Sequence, residues 1–462
     1  MQSENLFNQL AGSLERGDKP ALTEGARVTS YADLSSMIDR FAGEILAKTE
    51  SGAVVGIQAP SRSETLAALY ACFRTGRTAV CVPARNGDFV IQDAGATLIL
   101  TEPSDFSRAD FSSETPPRDP AVIVYTSGST GKRPKGVLVS HRGIGDAVQF
   151  MNRTMMVDDT ISQVLVAPID HLYAIGRCHA ALRAGGTVHF APGIGAIFDL
   201  LQQGANALAI VPSVLATLIK DHEAQLRAVG QGVRWAEVGS MRFDIEYRRR
   251  MLEIFPNARI FRQYGLSEAM RATFLNLREE PDKIHTEGRP RPGVKIEILD
   301  GDGQVLPAGQ KGEIWVSGEA LALGYTDDAL WQARIRDGRY HTGDLGLLDE
   351  DGYLVFLGRS DDIVNVNGNL VHPAEVEADL AGLFAQPICV VGVADPRGVR
   401  DTVLVVCVEG ATPVRKKDVA AHMAGAARHL VPEYLVSLQA FPRTATGKIR
   451  RPDLARDVTK LI

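Results

Sequence analysis

The chain lacks the features of disulfide-rich, membrane-spanning and nucleic-acid-coating proteins. Its five cysteines are widely spaced among 462 residues and form no Cys-x-x-Cys pair, which argues against a disulfide framework and a zinc knuckle. No apolar run approaches the ~20 residues of a membrane-spanning helix, so no membrane span is predicted. The 50 Lys and Arg residues against 56 Asp and Glu give a net charge of −6, and we expect no nucleic acid among the partners.

The N-terminal residues 1–5 lack the basic segment and the apolar run of a secretory signal peptide. We therefore expect a reducing, cytoplasmic location in which the cysteines are small buried apolar residues. The 44 glycines and 23 prolines are spread along the chain without a repeat, and 45% of the residues are apolar. This composition is typical of a loop-rich globular protein of enzyme size.

Apolar patterning predicts alternating helices and strands as far as about Gly288. A helical period predicts a helix over residues 31–46 with Ser30 as its cap, and apolar runs predict strands at 54–57 and 78–82 around a helix at 64–73. Such alternation favours parallel sheets with crossover helices. The polar, proline-containing segment 103–120 is predicted to be an exposed connector.

After Gly288 the pattern changes to short strands and turns, with strands predicted at 294–299, 313–316 and 353–357. Mixed character returns in the last hundred residues, where strands are predicted at 388–393 and 402–408. The predicted fold class is α/β. A large N-terminal domain, residues 1–358, would contain parallel α/β subdomains and a small β-rich subdomain. A small α+β C-terminal domain, residues 359–462, would follow it.

Residues 122–137 carry the strongest local signal for function. An apolar strand leads into a loop with four hydroxyls, three glycines and three cations. Glycines let backbone N–H groups approach a polyanion, hydroxyls add donors, and the cations supply charge. The spacing differs from a Walker A motif, so a nucleotide-phosphate loop of another type is predicted. Its candidate phosphate-binding residues are Thr126, Ser127, Gly128, Ser129, Thr130, Gly131, Lys132 and Lys135.

This loop resembles the phosphate loop of the adenylate-forming superfamily, which comprises acyl- and aryl-CoA synthetases, carrier-protein adenylation domains and beetle luciferases. Four further segments resemble motifs of that superfamily in the same order: QYGLSE at 263–268, YHTGD at 340–344, GRSDD at 358–362 and PRTATGK at 442–448. The resemblance covers essentially the whole chain. Two departures are visible: Lys132-Arg133 fills what is usually one position, and Asn365 stands where many relatives carry lysine.

The resemblance implies a role for each matching residue. Lys448 and Ser267 would act at the α-phosphate of ATP, and Glu268 would hold Mg²⁺. Asp361 would be the hinge on which a mobile C-terminal domain turns, and Gly368 would then line the tunnel for the thiol. The implied adenosine site consists of Gly239, Ser240, Met241, Gln263, Tyr264, Asp344 and Arg359. The implied substrate pocket consists of His171, Tyr173 and Gly265.

The resemblance also implies an activity, that of an ATP-dependent carboxylate–thiol ligase. The enzyme would convert an aryl or medium-chain acid to acyl-AMP with release of pyrophosphate and then transfer the acyl group to CoA. Transfer to the phosphopantetheine arm of an acidic acyl carrier protein is the nearest alternative. A nucleotide-binding pseudoenzyme is disfavoured because Glu268, Asp344 and Lys448 are all present, and a luciferase-like oxidase is compatible with the motifs but improbable.

The C-terminal end of the chain is basic. Residues 415–462 hold ten Lys and Arg against four Asp and Glu, a charge of +6 within a chain of −6. Such a surface would attract ATP, CoA or an acidic carrier protein, so it does not distinguish the two thiol donors.

Overall fold

The structure is a computed structural model that describes residues 5–84, 86–103, 119–126, 134–239, 245–366, 369–398, 401–444 and 447–462. The elements up to residue 239 are α1 (Leu6–Leu14), β1 (Pro20–Glu24), β2 (Arg27–Ser30), α2 (Tyr31–Lys48), β3 (Val54–Ile57), α3 (Arg62–Thr75), β4 (Thr78–Cys81), α4 (Gly87–Ala94), β5 (Ala96–Leu100), β6 (Pro120–Thr126), β7 (Lys135–Ser140), α5 (His141–Met155), β8 (Ser162–Leu165), α6 (Leu172–Arg183), β9 (Thr187–Phe190), α7 (Ile194–Gln202), β10 (Ala207–Ile210), α8 (Pro212–Gly230) and β11 (Trp235–Val238).

The elements from residue 245 onward are α9 (Ile245–Ile254), β12 (Arg259–Arg262), β13 (Thr273–Asn276), β14 (Arg289–Pro290), β15 (Val294–Leu299), β16 (Gly312–Gly318), β17 (Gly324–Tyr325), α10 (Asp328–Gln332), β18 (Ile335–Arg336), β19 (Arg339–Leu348), β20 (Leu354–Arg359), β21 (Val364–Val366), β22 (Asn369–Val371), α11 (Pro373–Leu380), β23 (Ile388–Ala394), β24 (Thr402–Glu409), α12 (Lys416–His422), β25 (Tyr434–Leu438) and α13 (Arg451–Thr459). Among the described residues, none of these helices combines the length and the apolar character needed to span a bilayer.

Two large sheets form the greater part of the fold. The first has the strand order β14-β13-β12-β11-β10-β8-β9-β1-β2, and its strands from β12 to β1 are parallel. The second has the order β17-β7-β6-β4-β3-β5, and β6, β4, β3 and β5 are parallel. One apolar core joins α1, α2, α3, α5 and α6 to both sheets, so these helices form a layer between the two. The predicted parallel α/β character is confirmed.

Residue types at the element ends explain why the elements begin where they do. Ser30 caps α2 as predicted: its hydroxyl accepts from the backbone N–H of Asp33 at 3.0 Å, and the Asp33 carboxylate accepts from the backbone N–H of Ser30 at 3.0 Å. This reciprocal arrangement satisfies two donors that the helix leaves unpaired. The predicted strands and helices before Gly288 all appear within a few residues of their expected bounds. The predicted connector lies largely outside the described residues.

The β-rich region beyond Gly288 is an antiparallel five-stranded sheet of β15, β16, β19, β18 and β20, as the alternating pattern predicts. The C-terminal elements form a three-stranded sheet, β23-β24-β25, and a hairpin of β21 and β22. Two apolar clusters within these elements contain no residue before Val364. The last hundred residues therefore have their own core. The boundary at residue 358 and the mobility of this part stay predictions.

All five cysteines are free, and four of them are buried. The prediction of small apolar core residues holds for these four, while Cys81 is partly exposed. Burial raises the pKa of Cys178 to about 12, which keeps its thiol protonated and unreactive at neutral pH.

Candidate active site

A cleft of about 1210 Å³ separates the body of the chain, here residues up to 358, from the C-terminal part, residues 359 onward. Its wall on the body includes α8 and the segment that follows β12, and its other wall includes α11, Arg443, residues 447–449 and Arg451. The segment after β12 lies at the carboxyl end of a parallel strand, which is where open α/β sheets bind ligands. Six residues proposed from the sequence line this cleft: Gln263, Tyr264, Gly265, Asp344, Arg359 and Lys448.

Tyr264, Asp344 and Arg359 form a polar cluster in the cleft, in which Tyr264 and Asp344 are buried and Arg359, the first residue of the C-terminal part, is partly exposed. The Tyr264 hydroxyl donates to Oδ2 of Asp344 at 2.6 Å, and Nη1 of Arg359 donates to Oδ1 at 2.9 Å. Asp344 is 3% exposed, and its β19 pairs with β20 so that Asp344 faces Arg359 directly. The strand register thus brings two separate sequence motifs to one carboxylate.

Lys448 faces this cluster from the C-terminal part. It lies in a turn closed by backbone hydrogen bonds between Thr444 and Lys448 and between Gly447 and Thr444, and Gly447 has a φ of +85° that favours glycine. The cleft is open to water, so Lys448 is exposed. Even so, the surrounding walls remove part of the hydration of its ammonium. This loss of hydration is the largest cause that lowers the pKa of Lys448, and repulsion by the charge of Arg359 is the second. The carboxylates of Asp344 and Asp362 act in the opposite direction and raise the pKa.

The pKa of Asp344 is shifted in the opposite direction, upward. Burial raises its pKa, although Arg359, the Tyr264 hydrogen bond and Lys448 all act to lower it. The site thus holds two cations, Arg359 and Lys448, beside the buried carboxylate of Asp344 and the carboxylates of Asp361 and Asp362. The two cations can contact an anionic ligand in the cleft.

Gln263 and Gly265 fix the backbone next to Tyr264. The amide of Gln263 covers Gly239 so closely that a Cβ there would lie 2.7 Å from Nε2 of Gln263 and 3.2 Å from the Tyr173 ring. A Cβ at Gly265 would lie 2.6 Å from the backbone nitrogen of Arg271. Position 265 therefore requires glycine, because the backbone there cannot give way, whereas a Cβ at position 239 would displace the flexible end of Gln263. Gly239 and Tyr173 are brought together beneath Gln263, although neither lines the cleft itself.

Glu268 lies outside the cleft in a network of phenol groups. The Tyr325 hydroxyl donates to its Oε1 at 2.7 Å and lies 2.7 Å from the Tyr340 hydroxyl. Among the described residues, Tyr325 is the only hydrogen-bond donor to this carboxylate. The network connects the 263–268 and 340–344 motifs. Ser267, next to Glu268, is partly exposed and also lies outside the cleft lining.

The predicted phosphate loop connects two antiparallel neighbours, because Thr126 at the end of β6 pairs with Lys135 at the start of β7. The Lys135 ammonium lies 5.3 Å from the centre of the Tyr325 ring, so this end of the loop is next to the Glu268 network. The candidates Ser127, Gly128, Ser129, Thr130, Gly131 and Lys132 lie outside the described residues. So do Ser240, Met241 and Gly368.

Two other candidates stand apart from the cleft lining. His171 occupies the cap position of α6, and its Nε2 lies 3.9 Å from Oδ1 of Asp170. Asp361 lies in a short 3-10 turn, where its carboxylate is 3.6 Å from Nη2 of Arg359. The predicted hinge thus lies two residues after the arginine that binds Asp344.

Sequence reasoning passed over several residues of this region. Phe356 and Arg451 line the cleft, and Tyr325 holds Glu268. A third group, Arg177, Glu237 and Arg271, is buried behind Tyr173. The available signal was charge in apolar surroundings: Arg177 lies between small and apolar neighbours on α6, and Glu237 interrupts an apolar strand.

Comparison with known proteins gives consistent matches. The family model described as AMP-binding enzyme matches residues 13–114 and 90–326. Feruloyl-CoA synthase from Amycolatopsis sp is 28% identical over 94% of this chain and 95% of its own length. Tyrocidine synthase 2 from Brevibacillus parabrevis is 28% identical over 95% of this chain, which spans 13% of that protein. The crystal structure of ATP-bound MatB from Rhodopseudomonas palustris has the same fold, with a TM-score of 0.90 and 24% identity over 100% of both chains.

Proposed function

Since the chain belongs to the AMP-binding enzyme family, we propose that it is an AMP-forming ligase that joins a carboxylic acid to a thiol. The supporting observation is the cleft, where Lys448 faces the polar cluster of Tyr264, Asp344 and Arg359. This arrangement provides an aromatic ring, a carboxylate for ribose hydroxyls and two cations within one crevice. Nucleotide and acid would meet there, with Gln263 and Gly265 forming the floor.

The first half-reaction joins two anions. A carboxylate oxygen forms a bond to the α-phosphorus of ATP while the bond from that phosphorus to the bridging oxygen of pyrophosphate breaks. Negative charge accumulates between the acid and the α-phosphate, and a preorganised cation is the most effective way to stabilise it. Lys448 supplies that cation, and its depressed pKa reflects the limited hydration that makes its charge effective. Arg359 holds Asp344 in place for the ribose.

In the second half-reaction the thiol sulfur attacks the acyl carbon, and the bond to the AMP oxygen breaks. The thiol proton leaves to solvent, and AMP departs with the former carboxylate oxygen. We propose that the C-terminal part, residues 359–462, turns about Asp361 between the two steps. Lys448 would then leave the cleft, and the segment around Gly368 would line a passage for the thiol arm. The separate core of this part is consistent with such a rigid-body rotation.

The residues present fit a magnesium site of the kind that ATP brings with it. Mg²⁺ is commonly held by one or two carboxylates together with substrate phosphates and water. Glu268 offers one carboxylate that Tyr325 orients through Oε1. Within the described part of the chain, no group of three or more His, Cys, Asp and Glu residues forms a cage, so the phosphates would supply further ligands. The metal would neutralise phosphate charge, and Glu268 would hold it.

CoA is the proposed acceptor, because feruloyl-CoA synthase matches this chain over nearly the full length of both proteins. A carrier-protein phosphopantetheine is the second candidate. Tyrocidine synthase 2 favours it, although the matching region is a small portion of that protein. An aryl or medium-chain acid is the proposed substrate class. The cytoplasm, as a source of ATP and CoA, is the proposed location.

Pyrophosphate release over a panel of carboxylic acids tests this proposal. The purified chain is given ATP, Mg²⁺ and one acid at a time, with and without CoA. We expect acid-dependent pyrophosphate release, and stoichiometric AMP and thioester once CoA is added. Formation of AMP and pyrophosphate without thioester, followed by loading of a phosphopantetheinylated carrier, would favour the second acceptor. Absence of acid-dependent pyrophosphate release across the panel would refute the activity itself.

A further inference from the structure

A buried ionic cluster lies behind the proposed substrate pocket. Oε2 of Glu237 on β11 is 3.2 Å from Nη1 of Arg177 on α6, and Oε1 is 3.7 Å from Nη2 of Arg271. Arg177 and Glu237 are 0% exposed, and Arg271 is 5% exposed. Two guanidinium groups thus share one carboxylate in a region that excludes water.

The two arginines differ in how well their donors are satisfied. Arg177 donates from Nε to Gln163 at 3.0 Å, stacks 4.3 Å from the Trp235 ring and holds the shorter contact to Glu237. Arg271 has the longer ion contact, and its Nε and Nη2, like both carboxylate oxygens of Glu237, make no hydrogen bond with the described residues. Two buried guanidinium groups beside one carboxylate leave a net positive charge, which a further anionic acceptor beside Arg271 would neutralise.

Arg271 lies against residues placed in the substrate pocket. Its guanidinium carbon is 5.4 Å from the centre of the Tyr173 ring, and a Cβ at Gly176 would lie 3.1 Å from its Nη1. The Tyr173 ring also lies next to Gly239, where an added Cβ would be 3.2 Å from the ring and 2.7 Å from Nε2 of Gln263, a residue of the cleft lining. Tyr173 thus connects Arg271 to the cleft lining, and an acid whose reacting carboxylate lies in the cleft would reach Arg271 past this ring.

The backbone of Arg271 is also unusual. Its φ is +47°, which makes it one of four non-glycine residues with positive φ in the described part of the chain. A left-handed conformation is unfavourable for a residue with a Cβ, and such strain concentrates at binding sites. The guanidinium of Arg271 lies between Gly176 on α6 and Glu237 on β11.

We propose that Arg271 binds a second carboxylate at the far end of the substrate, so that the acid activated is a dicarboxylic acid. Arg177 is a positioning residue, because it holds the shorter contact to Glu237 and leaves Arg271 with only the longer one. This inference rests on the proposed ligase function and narrows its substrate class. The bidentate geometry of guanidinium and carboxylate would select the second carboxylate over a methyl group of similar size.

Two matched acid pairs test the proposal: terephthalate against 4-methylbenzoate, and adipate against hexanoate. The measurement is kcat/KM for acid-dependent pyrophosphate release. We expect the diacid of at least one pair to be favoured by about 10- to 100-fold, the range expected for a hydrogen bond to a charged group. In Arg271→Met that preference should vanish or reverse, mainly through KM for the diacid.

Arg77→Met is the matched control. Arg77 is another buried arginine, 8% exposed, but it donates to the backbone carbonyls of Thr49 and Thr75 far from the cleft. Its replacement should leave the diacid preference intact. Should Arg271→Met fail to fold, the preference of the unmodified chain still decides the matter.

The outcomes separate the two proposals. Equal use of both acids in each pair, or preference for the monoacids, overturns the dicarboxylate inference and leaves the ligase activity standing. Activation of other acids in the panel but of neither pair also overturns it. No pyrophosphate release with any acid refutes the ligase function, and the dicarboxylate inference with it. A preference that survives Arg271→Met assigns selectivity to other residues and overturns the role of Arg271.

Discussion

Stability of the α-helical layer between the two large sheets should depend on pH through His141. This residue is 0% exposed, and its Nδ1 accepts a hydrogen bond from the backbone N–H of Leu6 at 3.3 Å. The Phe73 ring lies edge-on at 5.2 Å. Burial in these apolar surroundings lowers the pKa of His141 to about 4, so the fold holds the neutral imidazole.

The sign and size of this change in the free energy of unfolding follow from the different pKa of His141 in the folded and unfolded states. The unfolded chain protonates this histidine below a pKa of 6.5, whereas the native state stays neutral down to about 4. The unfolded state therefore binds more protons across this window, and the free energy of unfolding falls as pH falls from 6.5 to 4. At about 1.4 kcal/mol per pKa unit, the loss amounts to about 2 kcal/mol between pH 7 and pH 5, and to about 3 kcal/mol by pH 4.

Hydrogen–deuterium exchange of α3 and α5 measures this effect locally, which is necessary because a chain with several cores does not unfold in one step. The variant His141→Gln keeps an acceptor for Leu6 but cannot titrate. We compare how far the opening free energy of these helices falls between pH 7 and pH 5. This fall should be about 2 kcal/mol smaller in the variant than in the unmodified chain. Replacement of the exposed His422 by glutamine should leave the pH response unchanged. An identical response in His141→Gln and the unmodified chain would refute the reasoning.

Three further predictions concern the site. Lys448→Ala should slow acyl-adenylate formation by about 100- to 1000-fold, the range for loss of one transition-state charge contact. A preformed acyl-adenylate should still react with thiol in this variant. Equal loss in both half-reactions, or a similar loss in the exposed control Lys460→Ala, would contradict this prediction. Glu268→Gln should raise the Mg²⁺ concentration needed for half-maximal pyrophosphate release, and an unchanged Mg²⁺ titration would exclude Glu268 as a ligand. Gly265→Ala should destabilise the body by about 1–3 kcal/mol, because its Cβ would lie 2.6 Å from a backbone nitrogen. Gly301→Ala, where a Cβ meets no atom within 4 Å, should leave the thermal midpoint unchanged.

Elements specified by local pattern were predictable from the sequence. The helical period of residues 31–46 and the Ser30 cap determine α2, and the uninterrupted apolar runs determine β3, β23 and β24. Local rules suffice there because the side chains that define each element lie within a few residues of one another. The cleft-lining residues Tyr264, Asp344, Arg359 and Lys448 were reached differently, through resemblance to the motifs of a known superfamily.

The remaining site residues depend on contacts between distant parts of the chain. Glu268 meets Tyr325 57 positions away, and nothing around Tyr325 distinguishes it from a core tyrosine. Arg177 and Glu237 become a pair only when α6 packs across β11. The conformation of Arg271 is equally invisible in the sequence, since its φ is imposed by tertiary packing. The single local indication in the sequence was a charged residue within an apolar segment. Such a residue is expected to be buried, but the sequence does not show which residue it pairs with.

The net positive charge of the C-terminal residues 415–462 is partly neutralised in the folded structure by carboxylates, some of which lie outside this segment. Six of its ten cations have carboxylate partners: Arg415, Arg443, Arg450, Arg451, Arg456 and Lys460. Arg443 pairs with Glu409, and Arg451 pairs with Glu377 and with Asp362 beside the hinge, all outside residues 415–462. These two arginines flank Lys448, so their charge is used to anchor its turn to the C-terminal part rather than to attract ligands. Because the anchors include Asp362, any rotation at the proposed hinge would carry Lys448 with it, as the proposed separation of the two half-reactions requires.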